Sequence, residues 1–460
     1  MATFAVETPG AAVPDAVRHE GQRALVNVFG TALAGCRDPA LDIAARVFGR
    51  FNAPGAGQAG CSVIGRAGRM DARHAASLNA MAGNVFDFDD THLPTIIHPS
   101  APVAPALLAL AETRPRGAVS GREWLDAFAI GVEVACRIGN AVSPGHYDRG
   151  WHITATCGVF GAAAGCARLL GLDAQRTRWA LGHASAQAGG LVETLGSMSK
   201  SIGVGNAAAN GLLSALLAAE GFEGPAAPLE GARGFLHVTA ERPALGALID
   251  GLGAQWQLQR NTYKPYPCGV VLNPVIEACL ALHAGGARLA DVAQVELRGH
   301  PLLRARTDRP PPRSGREAQV SAAHAVAVAL AEGRAGLDEF SDDRVARGEA
   351  AALAPHLRFV DDAGCSVDGA TVHLTRRDGR VLTHHVDAAR GSLARPLSDA
   401  ELERKLADLA AWGGSGVDAA PLAQALWSLH TCPDAGTLMR LACPPADRDR
   451  IASSQGDGPP

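Results

Sequence analysis

Side chains able to move a proton or hold an anion are concentrated in a few short stretches of this 460-residue chain. The densest is NVFDFDDTHLPTIIHPS, residues 84–100, where Asp87, Asp89, Asp90, Thr91, His92 and His98 fall within twelve positions. If helix continues through Thr91, then Asp87, Asp90 and Thr91 share one face and Asp89 points elsewhere. Pro94 ends that helix and leaves His98 on the loop before the next one. Three readings compete: aspartates that cap helices or bind arginine, an oxygen-ligand Mg²⁺ site, or Asp87 and His98 as a tuned acid–base pair in an apolar pocket.

A second stretch, HYDRGWHITATCG, places His152 at the start of a small-residue helix. The helix dipole there lowers an imidazole pKa and suits it to act as a neutral donor or a base, although a hydrogen-bonded core histidine is the plain alternative. In the third, SMSKSIGVGNAAANG, Lys200 precedes a Gly-rich helix start whose free N–H groups suit a carboxylate. It is not a Walker A loop, because Ser199 occupies the place of the second glycine. The fourth, NTYKPYPCG, sets Lys264 at an expected hinge between domains. Only three of the 42 basic residues are lysines: Lys200, Lys264 and Lys405. A chain that uses arginine wherever it merely needs a cation keeps lysine where a compact donor matters. Tyr147, Tyr263 and Tyr266 lie near the same stretches, and Tyr266 joins Thr91, Lys200 and Lys264 as a substrate-binding candidate.

Two lysines and a helix N-terminus suit a small di- or tricarboxylate. Aspartate and histidine beside them suit proton transfer at the carbon next to a carboxylate, with a cation stabilising the enolate-like intermediate. Loss of β-hydroxide from it gives a dehydratase and reprotonation an epimerase; loss of CO₂ generates the corresponding carbanion in a decarboxylase. The residues alone leave these outcomes open.

Helices must position these groups. Val17–Ala34, His74–Ala82, Ala101–Glu112, Arg122–Val142 and Gln175–Gln187 carry apolar residues at three- and four-residue spacing, and no clear period-2 strand precedes residue 290. Abundant Gly and Ala allow close approach around a central helix. Val292–Arg298 alternates like a half-buried strand, Glu317–Glu332 reads as a helix, and ATVHLTRRDGRVLTHHV reads as a hairpin on a tight I′ turn at Asp378-Gly379. A capping box at Ser398–Glu401 then reopens helix. The expected fold is mainly α: a discontinuous helical domain, 1–265 plus 396–460, with an inserted α+β lid, 266–395. The tail IASSQGDGPP is expected to be disordered.

Composition narrows the classes. Net charge is −4 with no basic block, which argues against nucleic acid. The apolar run Ser201–Ala219 is broken by Gly and Asn and reads as a buried helix rather than a membrane span. Ten cysteines without a CxxC, and no recognisable export signal, suit a reduced, cytoplasmic protein without a zinc ribbon. A Mg²⁺-dependent prenyl-transfer enzyme would need a second carboxylate-rich motif, and the sequence offers none. A non-catalytic carboxylate-binding dimer is a further alternative.

In order along the chain, DFDDTH…HPS, GVEVACRIG, RGWHITATCGVFGAAA, the Lys200 segment, GFEGP with LEG and GF, and KPYPCG resemble the MmgE/PrpD family. That family includes 2-methylcitrate dehydratase, cis-aconitate decarboxylase and iminodisuccinate epimerase. The resemblance covers about residues 15–445. It implies a large helical domain with an α+β lid, a homodimer, and catalysis on a small polycarboxylate with no metal or organic cofactor. Carried over motif by motif, the decarboxylase site maps to Asp87, Thr91, His98, His152, Lys200 and Lys264. Its last member, a tyrosine, falls at His324, and the chain departs from the pattern there. Asp87 or His152 is expected to transfer the proton, with His98 and His324 assisting and Lys200 and Lys264 holding carboxylates.

Overall fold

The computed structural model describes residues 1–51 and 60–444; the C-terminal IASSQGDGPP lies outside the described residues. The fold is mainly α and is built on two hydrophobic cores. Helices Ser100–Thr113, Gly121–Val142, Ala174–Ser185 and Ser199–Ala219 pack around Ile153–Leu169, which is buried on every side from Ile153 to Ala167, while Asp15–Gly35 and Ala72–Asn84 pack together beyond them. Small residues make this possible. A Cβ on Gly131 would come within 2.7 Å of the Gly161 carbonyl oxygen, and one on Gly211 within 2.4 Å of the Ala162 methyl. Each helical glycine costs about 1 kcal/mol relative to alanine, and the backbone contact it permits offsets that cost. Ser199–Ala219 is long and apolar enough to cross a membrane, but it packs against Ala72–Asn84 and Ile153–Leu169 as a core helix.

The second core runs from Cys268 to Ala389. Helices Asn273–Ala284 and Ala322–Glu332 pack together there, beside a four-stranded sheet ordered Leu357–Asp361, Val292–Gly299, Ala370–Arg376, Val381–Val386. The first pair is parallel and the others antiparallel. Val295, Leu297, Val372 and Leu374 are buried at alternate positions, as a half-covered sheet requires. Both halves of the Ser398–Glu401 capping box form, and Asp399–Gly413 packs back on Asp15–Gly35.

Three expectations need correction. The stretch expected as Glu317–Glu332 is two helices, Gly315–Ala318 and Ala322–Glu332, because Ser321 caps the second through the His324 N–H. The hairpin has no I′ turn: only Gly379 has positive φ (85°), and Arg376 N–H bonds the Arg380 carbonyl across a three-residue loop. Short ladders also precede residue 290, Cys61–Ser62 with Arg69–Met70 and Asp90–His92 with Asn261–Tyr263. Strands of two or three residues are too short to register as alternation.

Candidate active site

The second of those ladders assembles the site. Helix stops at Asn84, and Asp90–His92 becomes a strand, so the expected Asp87/Asp90/Thr91 helical face does not exist. Asp90 pairs with Tyr263 and Thr91 with Thr262, which brings the aspartate-rich segment against the chain leading into Lys264. Between helix and strand, Asp87 adopts φ 52°, a left-handed conformation that aspartate tolerates better than most residues. The conformation is held at both ends: Asp87 N–H bonds the Asn84 carbonyl (3.1 Å) and Lys264 Nζ donates to the Asp87 carbonyl (2.9 Å).

The Asp87 carboxylate is the hub. Its Oδ1 lies 2.6 Å from Lys200 Nζ, 3.2 Å from Lys264 Nζ and 3.6 Å from His98 Nε2. Two ammonium groups outweigh the cost of burial and hold this carboxyl well below the usual range, so it stays ionised. Asp89, expected to point elsewhere, instead belongs to the cluster: its Oδ1 is 3.9 Å from Lys264 Nζ and 3.6 Å from His98 Nδ1, and its Oδ2 accepts from Asn84.

His98 Nδ1 lies 2.8 Å from the Asp90 carbonyl, an acceptor, so Nδ1 carries the proton and Nε2 faces Asp87. Burial lowers the His98 pKa, with Lys264 and Lys200 adding to it against Asp89 and Asp87. His152 caps Ile153–Leu169, and its ring makes no hydrogen bond to a described residue. Burial and the nearby Lys200 lower it to about 3, so it is neutral at pH 7. Lys200 lies in the first turn of Ser199–Ala219.

Asp87, His98, His152, Lys200 and Lys264 therefore line one cleft of about 680 Å³, part of it open to solvent. Ile96 reaches it from the tight His92–Ile97 loop, at φ 61°, where a β-branched residue is strained. The second core contributes Val270, Val271, Arg306 and Arg316. Three expected site residues lie elsewhere. Thr91 is fully buried behind the cleft, with Oγ1 3.2 Å from His98 Nδ1. Tyr266 packs against the second core. His324 is also turned away, its Nε2 bonding the Glu339 carbonyl at 2.8 Å and its ring edge-on to Phe340, because the helix Ala322–Glu332 presents that face to the second core.

Sequence reasoning missed Lys405 as well. Its Nζ donates to Asn27 Oδ1, the Phe88 carbonyl and the Lys264 carbonyl at 2.8–2.9 Å, tying together the backbones that carry Asp87 and Lys264. The signal was present in the scarcity of lysine: all three converge here. Asp87, Asp89 and His98 offer ligand atoms within 4.8 Å of one another, a spacing that suits a metal ion. A cation there would have to displace two ammonium groups from the same carboxylate, so the donor set fits a lysine-bridged site better.

Residues 1–247 match the family model of the MmgE/PrpD N-terminal domain, and residues 266–429 that of the MmgE/PrpD C-terminal domain. Among curated relatives, the cis-aconitate decarboxylase-like protein oryM of Aspergillus oryzae is 27% identical over 96% of each chain. The cis-aconitate decarboxylase of Aspergillus terreus is 28% identical over 86% of each. Human cis-aconitate decarboxylase is 27% identical over 73% of this chain and 72% of its own length.

Proposed function

The chain belongs to the MmgE/PrpD family and is a lyase of that type, and from this we propose that it acts on a small di- or tricarboxylate by carbanion chemistry, with decarboxylation of the cis-aconitate kind as the leading reaction. The observation that carries this reading is one ionised carboxylate, Asp87, shared by two buried lysines at the wall of a cleft that two neutral histidines also face.

Lys200 and Lys264 each have three N–H donors, and Asp87 does not use them all. The remainder bind substrate carboxylates. In decarboxylation the C–C bond to the departing carboxylate breaks, CO₂ leaves, and the electron pair passes into the conjugated carboxylate, where the ammonium groups stabilise the enolate-like charge. The carbon then takes a proton.

Asp87 is a poor candidate for that transfer, because it is held ionised. His98 is the better one. A bound polyanion offsets the two lysines that depress its pKa, and Asp87 and Asp89 flank the imidazolium that forms. Neutral His152 polarises a substrate oxygen. The same machinery supports dehydration or epimerisation; the decarboxylase relatives put CO₂ loss first.

The test is proton NMR of EDTA-treated protein in D₂O with cis-aconitate, 2-methylcitrate and iminodisuccinate generated in situ. Loss of CO₂ from cis-aconitate with one deuteron entering the product is expected. Water loss or inversion alone would move the assignment to another branch, and no exchange with any of the three would refute the carbanion reading.

A further inference from the structure

Two arginines line the cleft from the second core, and their surroundings differ. Arg316 is already paired, its Nη2 2.5 Å from Asp38 Oδ1. Arg306, on the helix Pro301–Thr307, has no carboxylate partner among the described residues. Its guanidinium carbon lies 4.3 Å from the centroid of the Tyr147 ring, which belongs to the helical domain and also lines the cleft. Its Nε is buried with no hydrogen-bond partner.

A guanidinium held over an aromatic ring by cation–π attraction keeps N–H donors free for a ligand, and guanidinium donors suit a carboxylate. A buried N–H without a partner is costly in a chain this well packed, and a bound oxyanion would remove that cost. Charge points the same way. Asp87 and Asp89 balance Lys200 and Lys264, and Asp38 balances Arg316, which leaves Arg306 as the uncompensated cation of the cleft.

We infer that Arg306 is a specificity-determining residue that reads a third carboxylate, beyond those held by Lys200 and Lys264, and so selects tricarboxylates over dicarboxylates. This rests on the carboxylate reading of the site.

Calorimetric titration with tricarballylate and glutarate tests it, because the two share a five-carbon frame and differ by the central carboxylate. The native chain should bind tricarballylate at least ~10-fold more tightly, the size expected of one charge-assisted pair. Arg306→Gln should shrink that preference to within about threefold while leaving glutarate affinity nearly unchanged, and Arg306→Lys should restore part of it. Arg306→Lys also keeps the aliphatic stem and stands in should the glutamine variant fail to fold. An absent preference in the native chain, a preference that survives Arg306→Gln, or equal loss for both ligands would each overturn the inference. Turnover by the native chain is scored separately, so decarboxylation with an unchanged preference would sink Arg306 alone.

Discussion

Two buried charge clusters in the helical domain use similar residue types and have opposite characters. Glu133 and Arg137 lie one turn apart on Gly121–Val142, 0% and 1% exposed, with Nε to Oε1 at 2.5 Å. Every charged edge there is answered: Arg137 donates to the carbonyls of Ala247, Leu248, Asp250 and Gln255, and Glu133 accepts from Gln257 N–H. Around Asp87, by contrast, one oxygen serves two lysines and faces a histidine, Asp89 Oδ1 has no hydrogen-bond partner, and the group opens on a cleft. Burial and charge do not separate scaffold from machinery. Saturation and access do, because a saturated cluster has no donor left for a ligand.

The largest effect that sharpens this contrast is expected at Lys200. Lys200→Ala should lower kcat by roughly 100- to 1000-fold, as loss of a preorganised cation does. Lys264 still neutralises Asp87, so the thermal midpoint should move by only about a few degrees. Near-normal kcat on the true substrate would remove Lys200 from the site.

Arg137→Met should do the reverse. It strands Glu133 in the core and should destabilise by about 3–5 kcal/mol, with kcat of the folded fraction unchanged. Adding Glu133→Gln should recover much of the loss in denaturant titrations. If the single variant instead lost turnover without stability, the two clusters would not differ as argued.

Acid should also weaken the fold. Burial lowers His92 and His146 to about 4 and His152 to about 3, so these groups bind protons in the unfolded chain before the folded one does. Their contribution is complete above the ordinary histidine pKa and is lost as pH falls from about 6.5 towards 3. Asp90 opposes them, because burial raises it to about 7. The midpoint of thermal unfolding should therefore drop between pH 6.5 and 4, and less so in His146→Asn. A flat profile would contradict the neutral, buried histidines.

The smallest effect is expected at His324. Its ring is committed to the Glu339 carbonyl outside the cleft, so His324→Tyr should change kcat/KM by less than about threefold, in line with a substitution away from the reacting groups. A large gain would return that position to the active site.

Much of this was legible in the chain. Helical periodicity located the bundle helices, because 3.6-residue spacing records which face is buried. The Ser398–Glu401 box announced its helix, because a cap is a local device. The lysine count pointed to Lys200 and Lys264 through the chemistry that distinguishes lysine from arginine. Local pattern misled where a non-local partner decided: Asp90–His92 is a strand only because Asn261–Tyr263 runs beside it.

Residue identity by itself thus determined the fold class, the family and five of the residues that meet at the cleft, Asp87, His98, His152, Lys200 and Lys264. Tertiary structure decided the rest. It brought Asp89 and Lys405 into the cluster across long sequence separations, turned Thr91, Tyr266 and His324 away, and left Arg306 without a counter-charge while pairing Arg316. The physical reason is that a side chain's role depends on which partners saturate it, and partners far apart in sequence meet only when the cores close.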